Sequence, residues 1–191
     1  MVGVDPGFAN LGFCIIDLYG IGVMDLIDTK LVVTQPDKKH YDDEQRRLIL
    51  IEDAFSEFID GRNVEVCAIE APSAGLMPGK KNAATGKKGW SVNPTTVRQT
   101  SLVWGGIHGL CRSRGIHCVK ADLGQLKLAM CGKKGVSKQD VIDAAKKKFP
   151  SYAGWPKSKK AEHVADAVGA VMVALNDPVV TIMMRRLITR S

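Results

Sequence analysis

Residues 2–33 read VGVDPGFANLGFCIIDLYGIGVMDLIDTKLVV, and their pattern decides the fold. Val2–Asp5 is a short apolar run that stops at Asp5-Pro6-Gly7, a turn signal. Leu11–Leu18 and Val23–Val33 are aliphatic runs parted by Tyr19-Gly20, so three antiparallel strands joined by tight turns are predicted. The spacing then becomes helical. Leu48, Ile51, Ala54, Phe55 and Phe58 predict a helix over Tyr41–Asp60, closed by Gly61. Val64–Glu70 is strand-like again and ends on a carboxylate. Further helices are predicted over Pro94–Arg114, Asp122–Cys131, Ser137–Phe149 and Lys160–Asn176, with a strand at Ile116–Lys120. Ala71–Asn93, rich in glycine, proline and lysine, reads as a long loop of the functional kind. The order implies an α/β domain over residues 1–176. Its mixed five-stranded sheet, three antiparallel strands and then parallel ones, is flanked by helices. The basic tail, 177–191, has no assignment.

At 191 residues the chain suits one domain with a proper core. Its longest apolar run, near Val164–Leu175, is too short for a membrane span of about 20 residues. No basic flank precedes an apolar stretch at the start, so no secretory signal and no membrane partner are expected. Five scattered cysteines without a C-x-x-C argue against a zinc ribbon or a disulfide scaffold and for a reducing, cytoplasmic setting. The Gly-Lys-Lys clusters lack the spacing and the final hydroxyl of a nucleotide-binding phosphate loop. The net charge of +7 hides an asymmetry: residues 1–70 carry −8 and residues 71–191 carry +15. Between Ala71 and Ala121 no acid occurs, while Lys80, Lys81, Lys87, Lys88, Arg98, Arg112, Arg114 and Lys120 all do. One strongly positive face, suited to a phosphate backbone, is the expected consequence.

Against that field stand carboxylates in apolar surroundings. Asp5 ends the first strand, Glu70 ends the fourth, and Asp166 lies in an apolar helix with His163 three residues before it. Singly each has a structural explanation: a turn cap, a loop start, a helix surface group. Buried together they need compensation, and a divalent metal supplies it. Mg²⁺ takes hard oxygen ligands. Two such ions about 3.5–4 Å apart clamp an in-line phosphodiester displacement.

At these residues the chain resembles the RuvC-type Holliday junction resolvases. The resemblance lies in Gly3-Val4-Asp5-Pro6-Gly7 followed by Asn10-Leu11-Gly12-Phe13, in Ala68-Ile69-Glu70, and in His163-Val164-Ala165-Asp166-Ala167. It includes Gln125-Leu126-Lys127 and the stretch from Gly132 through Lys138-Gln139-Asp140-Val141. It spans Val2 to about Leu175. It implies an RNase H-like fold, a homodimer, a bacterial or phage-infected cytoplasm, and paired symmetric nicks in four-way DNA. It also implies that Asp5, Glu70, His163 and Asp166 bind two Mg²⁺ ions, for which Mn²⁺ substitutes. Asp5 would bridge the ions, Glu70 and Asp166 would each hold one, and His163 would ligate metal or position water. Lys127 and Lys138 match basic positions of the DNA-contacting region, and the basic loop and Arg98 add candidate DNA contacts. Glu162 is left aside, because it points about 100° away from His163 on a helix.

The chain departs from the family in two places. Ala71-Pro72-Ser73-Ala74 stands where the family has an aromatic, leaving Trp90 as a candidate stacking platform. The first strand starts at Met1-Val2, shorter than usual, which leaves room for a residue or two before it. Val97, Leu102, Trp104, Ile107 and Leu110 on the Pro94–Arg114 helix form an apolar face, either core or dimer contact. The alternatives are a nuclease of the same fold acting on other branched DNA or on RNA–DNA hybrids, and a non-catalytic DNA-binding module. A two-domain sugar-kinase-type ATPase needs far more chain.

Overall fold

The computed structural model describes residues 1–20, 22–37, 39, 41–72, 77–81, 88–91, 94–157 and 160–188, with the backbone alone at 77–81, 88–91 and 187–188. β1 (Val2–Asp5), β2 (Asn10–Gly20) and β3 (Val23–Val33) form an antiparallel meander. α1 (Asp43–Ile59), β4 (Val66–Glu70), β5 (Met77–Lys81), β6 (Lys88–Ser91) and α2 (Pro94–Ser113) follow. β7 (His117–Ala121), α3 (Leu123–Cys131), α4 (Lys138–Lys148), α5 (Ala161–Ala174) and α6 (Pro178–Ile188) complete the chain. The main sheet has the order β3-β2-β1-β4-β7, with β4 parallel to both β1 and β7. This is the mixed five-stranded α/β sheet read from the sequence.

Strand alternation sorts the core into two layers. Val2, Val4, Phe13 and Ile15 face α1 and α2, where they meet Ile51, Phe55, Val103 and Ile107. Cys14, Ile16 and Ala68 face the other way and meet Leu126, Val141, Val168 and Val171 from α3, α4 and α5. α5 is the central helix of that second layer, and its inner face is built of alanine, glycine and valine. Two glycines let it settle on the sheet. A Cβ on Gly3 would run into the Ala167 carbonyl, and one on Gly12 into the His163 carbonyl. A backbone with no side chain at these two positions therefore sets the height of α5 above β1 and β2.

Local chemistry fixes the ends of the smaller helices. Asp122 and Gln125 form a capping box on α3, Gly132 closes it in the left-handed region, and Ser137 and Asp140 cap α4. Arg47 ties α1 to the turn after β1. It is buried, donates to Thr34 Oγ1 (2.9 Å) and to the Phe8 carbonyl (3.4 Å), and lies 4.3 Å over the Phe8 ring.

Three differences from the sequence reading stand out. The stretch read as a loop, Ala71–Asn93, contains the antiparallel pair β5–β6, with Met77 opposite Ser91 and Lys81 opposite Lys88. Pro78, Gly79 and the lysines erase any apolar alternation there, so the pairing left no pattern to read in the sequence. On α2 the buried residues are Val103, Ile107 and Cys111; Leu102, placed on the apolar face, is exposed. The unassigned tail carries α6, which starts at Pro178 after Asp177 accepts the Val179 and Val180 amides. Among the described residues no single helix is long and apolar enough to cross a membrane.

Candidate metal centre

Asp5 and Glu70 end adjacent parallel strands, one step beyond the Val4–Ile69 pair. α5 lies across these strand ends, and its first turns bring His163 and Asp166 to the same place. One oxygen from each of Asp5, Glu70 and Asp166 falls within a group whose atoms all lie within 4.8 Å of one another. His163 joins through Asp5: its Nδ1 lies 2.6 Å from Asp5 Oδ2. Three hard oxygen donors converging this closely fit a divalent cation, because without one their charges repel.

The electrostatics carry that strain. Burial, and then the charges of Asp5 and Asp166, push the Glu70 carboxyl from about 4.5 up to about 8. Burial, and then Asp5, push Asp166 up to about 7. Burial raises Asp5 too, against the pull of the His163 hydrogen bond. At His163 burial works downward, but the Asp5 hydrogen bond and charge win and the imidazole is raised above its ordinary value.

The predicted basic residues separate. Lys138, the first residue of α4, places Nζ 3.0 Å from Glu162 Oε1. Lys127 donates to the Val136 carbonyl at 3.0 Å. Both charges oppose the rise at Glu70, so both lysines lie within electrostatic reach of the acidic cluster. Arg98 instead pairs with Glu44 of α1 at 2.7 Å. The side chains of Lys80, Lys81, Lys88 and Trp90 lie outside the described structure, and Lys87 lies outside the described residues altogether.

Glu162, set aside on helical phase, belongs to the surroundings of the site. Its Oε1 also lies 3.6 Å from His163 Nε2, and its charge raises Asp5 and Asp166. The 100° step separates Cβ directions in the first turn of α5, yet a long side chain there still reaches back to the rim. A glutamate beside the histidine, together with a lysine opening the preceding helix, was the available signal.

Residues 1–75 match the family model described as crossover junction endodeoxyribonuclease RuvC, a span that includes β1, Asp5, β4 and Glu70. The chain is RuvC-like. Two RuvC sequences from strains of Prochlorococcus marinus, described as crossover junction endodeoxyribonucleases, are each 25% identical over 177 residues, covering 93% of this chain and 96% of theirs. The fold of this RuvC-like chain matches Thermus thermophilus RuvC, solved with a Holliday junction substrate, at a TM-score of 0.67 and 18% identity. That match covers 91% of this chain and 92% of the other. The yeast mitochondrial Holliday junction resolvase matches at a TM-score of 0.56 and 9% identity, covering 95% and 83%.

Proposed function

We propose that this RuvC-like chain is a metal-dependent endodeoxyribonuclease that resolves four-way DNA junctions. The observation that carries the reading is the gathering of Asp5, Glu70 and Asp166 at one end of the sheet, within the field of Lys127 and Lys138. A binding module would gain phosphate affinity by losing these acids. Asp5, Glu70 and Asp166 would hold two Mg²⁺ or Mn²⁺ ions, Asp5 serving both and Glu70 and Asp166 one each. The ions, when bound, activate water and stabilise the leaving 3′ oxygen. The chain's own residues do the rest. His163 orients the Asp5 carboxylate through Nδ1 and turns Nε2 toward the rim, where it can ligate or hold a proton of the attacking water. Lys127 and Lys138 attract the phosphodiester. The positive half of the chain supplies sequence-independent affinity, Lys80, Lys81, Lys87, Lys88 and Arg98 being further candidates for phosphate contact. A homodimer would present two such centres to the two-fold symmetric junction and make paired symmetric nicks. A cytoplasm, bacterial or phage-infected, is the setting that suits this work.

The test is incubation with a labelled mobile four-way junction, matched duplex, Y-fork and RNA–DNA hybrid in Mg²⁺, beside Asp5→Asn. Paired nicks in the junction alone, lost in Asp5→Asn while junction binding persists, are expected. Equal cutting of forks or hybrids keeps the chemistry and removes the junction selectivity. Cleavage in EDTA sinks the metal mechanism, and tight binding without any cutting favours the binding module.

A further inference from the structure

Lys138 and Glu162 form a contact that stability alone does not explain. Lys138 occupies the first turn of α4, where the helix dipole disfavours a cation. Its side chain is 70% exposed, and an unpaired lysine at such a place would range through solvent. Instead its Nζ is held at 3.0 Å by Glu162 Oε1, the atom that also lies 3.6 Å from His163 Nε2. His163 Nδ1 in turn meets Asp5 Oδ2 at 2.6 Å. Charges of alternating sign thus run from the exposed ammonium inward to the first metal-binding carboxylate. The fields of Asp166 and Asp5 both reach Lys138. One carboxylate oxygen occupies one of the three ammonium donors and leaves the others for an incoming phosphate oxygen.

We propose that Glu162 is a positioning residue that fixes the Lys138 ammonium at the rim of the acidic cluster, where it meets the phosphate to be cut. The inference rests on the nuclease reading and deepens it. Glu162 touches no reacting atom; it acts through Lys138. Its negative charge opposes DNA binding, while the order it imposes on Lys138 favours the chemical step. Removing it moves the two in opposite directions, which a merely structural role does not do.

The experiment uses the full chain with Glu162→Gln, Lys138→Gln and the double variant. The first readout is independent of cleavage: the acetylation rate of each lysine by N-hydroxysuccinimidyl acetate, followed by peptide mass spectrometry. Lys138 is expected to react several-fold faster in Glu162→Gln than in the unaltered chain, with Lys148 unchanged as the internal control. The second readout is single-turnover junction cleavage in Mg²⁺ with junction binding in Ca²⁺. Glu162→Gln is expected to lower the cleavage rate about tenfold with binding equal or tighter, and Lys138→Gln to cost little more in that background. Unchanged Lys138 acetylation overturns the proposal. So does cleavage that stays constant or rises in Glu162→Gln, or a Lys138→Gln penalty equal in both backgrounds. If no DNA is cut by the unaltered chain but Lys138 acetylation still rises in Glu162→Gln, the tether stands and the nuclease reading falls.

Discussion

Replacing Glu70 by glutamine should stabilise the metal-free protein, and added metal should erode that advantage. In the free protein Glu70 titrates near 8 instead of 4.5, chiefly through burial and then through repulsion from Asp5 and Asp166. A carboxyl whose folded value is raised costs stability above its unfolded value, and the cost grows until pH passes the folded value. At about 1.4 kcal/mol per pH unit, the penalty is about 1 kcal/mol at pH 5 and at most about 4 kcal/mol at pH 8. Glutamine keeps the shape and carries no charge, so the advantage of Glu70→Gln should widen by about 3 kcal/mol between those pH values. At roughly 2–4 °C per kcal/mol for a chain of this size, the melting temperatures should diverge by about 6–12 °C. The assay is thermal unfolding in EDTA at pH 5 and pH 8, repeated in Mg²⁺ or Mn²⁺. Metal should raise the melting temperature of the unaltered chain and do little for Glu70→Gln, because an ion bound only by the folded state stabilises it by mass action. A variant no more stable than the original in EDTA at pH 8, or one that gains as much from metal, refutes the reasoning.

Three further outcomes follow from contacts outside the acidic cluster. Gly12→Ala should cost at least about 3 kcal/mol and abolish activity, because its Cβ meets the His163 carbonyl, a backbone atom that cannot turn aside; a melting temperature within 2–4 °C of the original, about 1 kcal/mol, argues against it. Arg47→Met should cost about 2–4 kcal/mol in urea unfolding, since it removes the bonds to Thr34 and Phe8 while keeping the stem. Iodoacetamide at neutral pH should alkylate Cys118 before Cys131. The thiols of Cys111 and Cys67, and then His108 and His117, hold Cys118 below the usual thiol range, whereas burial and then Asp140 raise Cys131. Peptide mass spectrometry reads the order, and prior labelling of Cys131 counts against this.

The elements that were legible in the sequence are those whose side chains pay an energetic penalty for the wrong pattern. Val2, Val4, Phe13 and Ile15 are buried on one layer and Cys14 and Ile16 on the other, so their alternation had to be written in residue type. The same holds for Ile51, Phe55 and Phe58 along α1. β5–β6 carries no such alternation in Met77–Lys81 or Lys88–Ser91, and the backbone groups that pair it are ones every residue has. Among the described side chains α6 has one buried core residue, Val180, too little for a period to emerge.

The site divides along the same line. Asp5, Glu70 and Asp166 were visible because a carboxylate inside an apolar run is an anomaly at its own position. Glu162 is no anomaly at its own position, since a glutamate in the first turn of a helix is ordinary; only its neighbours His163 and Lys138 mark it. What makes it a neighbour of the acidic cluster is the height of α5 above the sheet, and that height is set by Gly3 and Gly12, two residues with no chemistry of their own. With a methyl at either position the helix stands off, His163 loses Asp5, and Glu162 carries Lys138 away with it. The glycines therefore shape the candidate site as much as the acids do, and Gly12→Ala and Asp5→Asn should separate two ways of losing activity: the first with loss of fold stability, the second without.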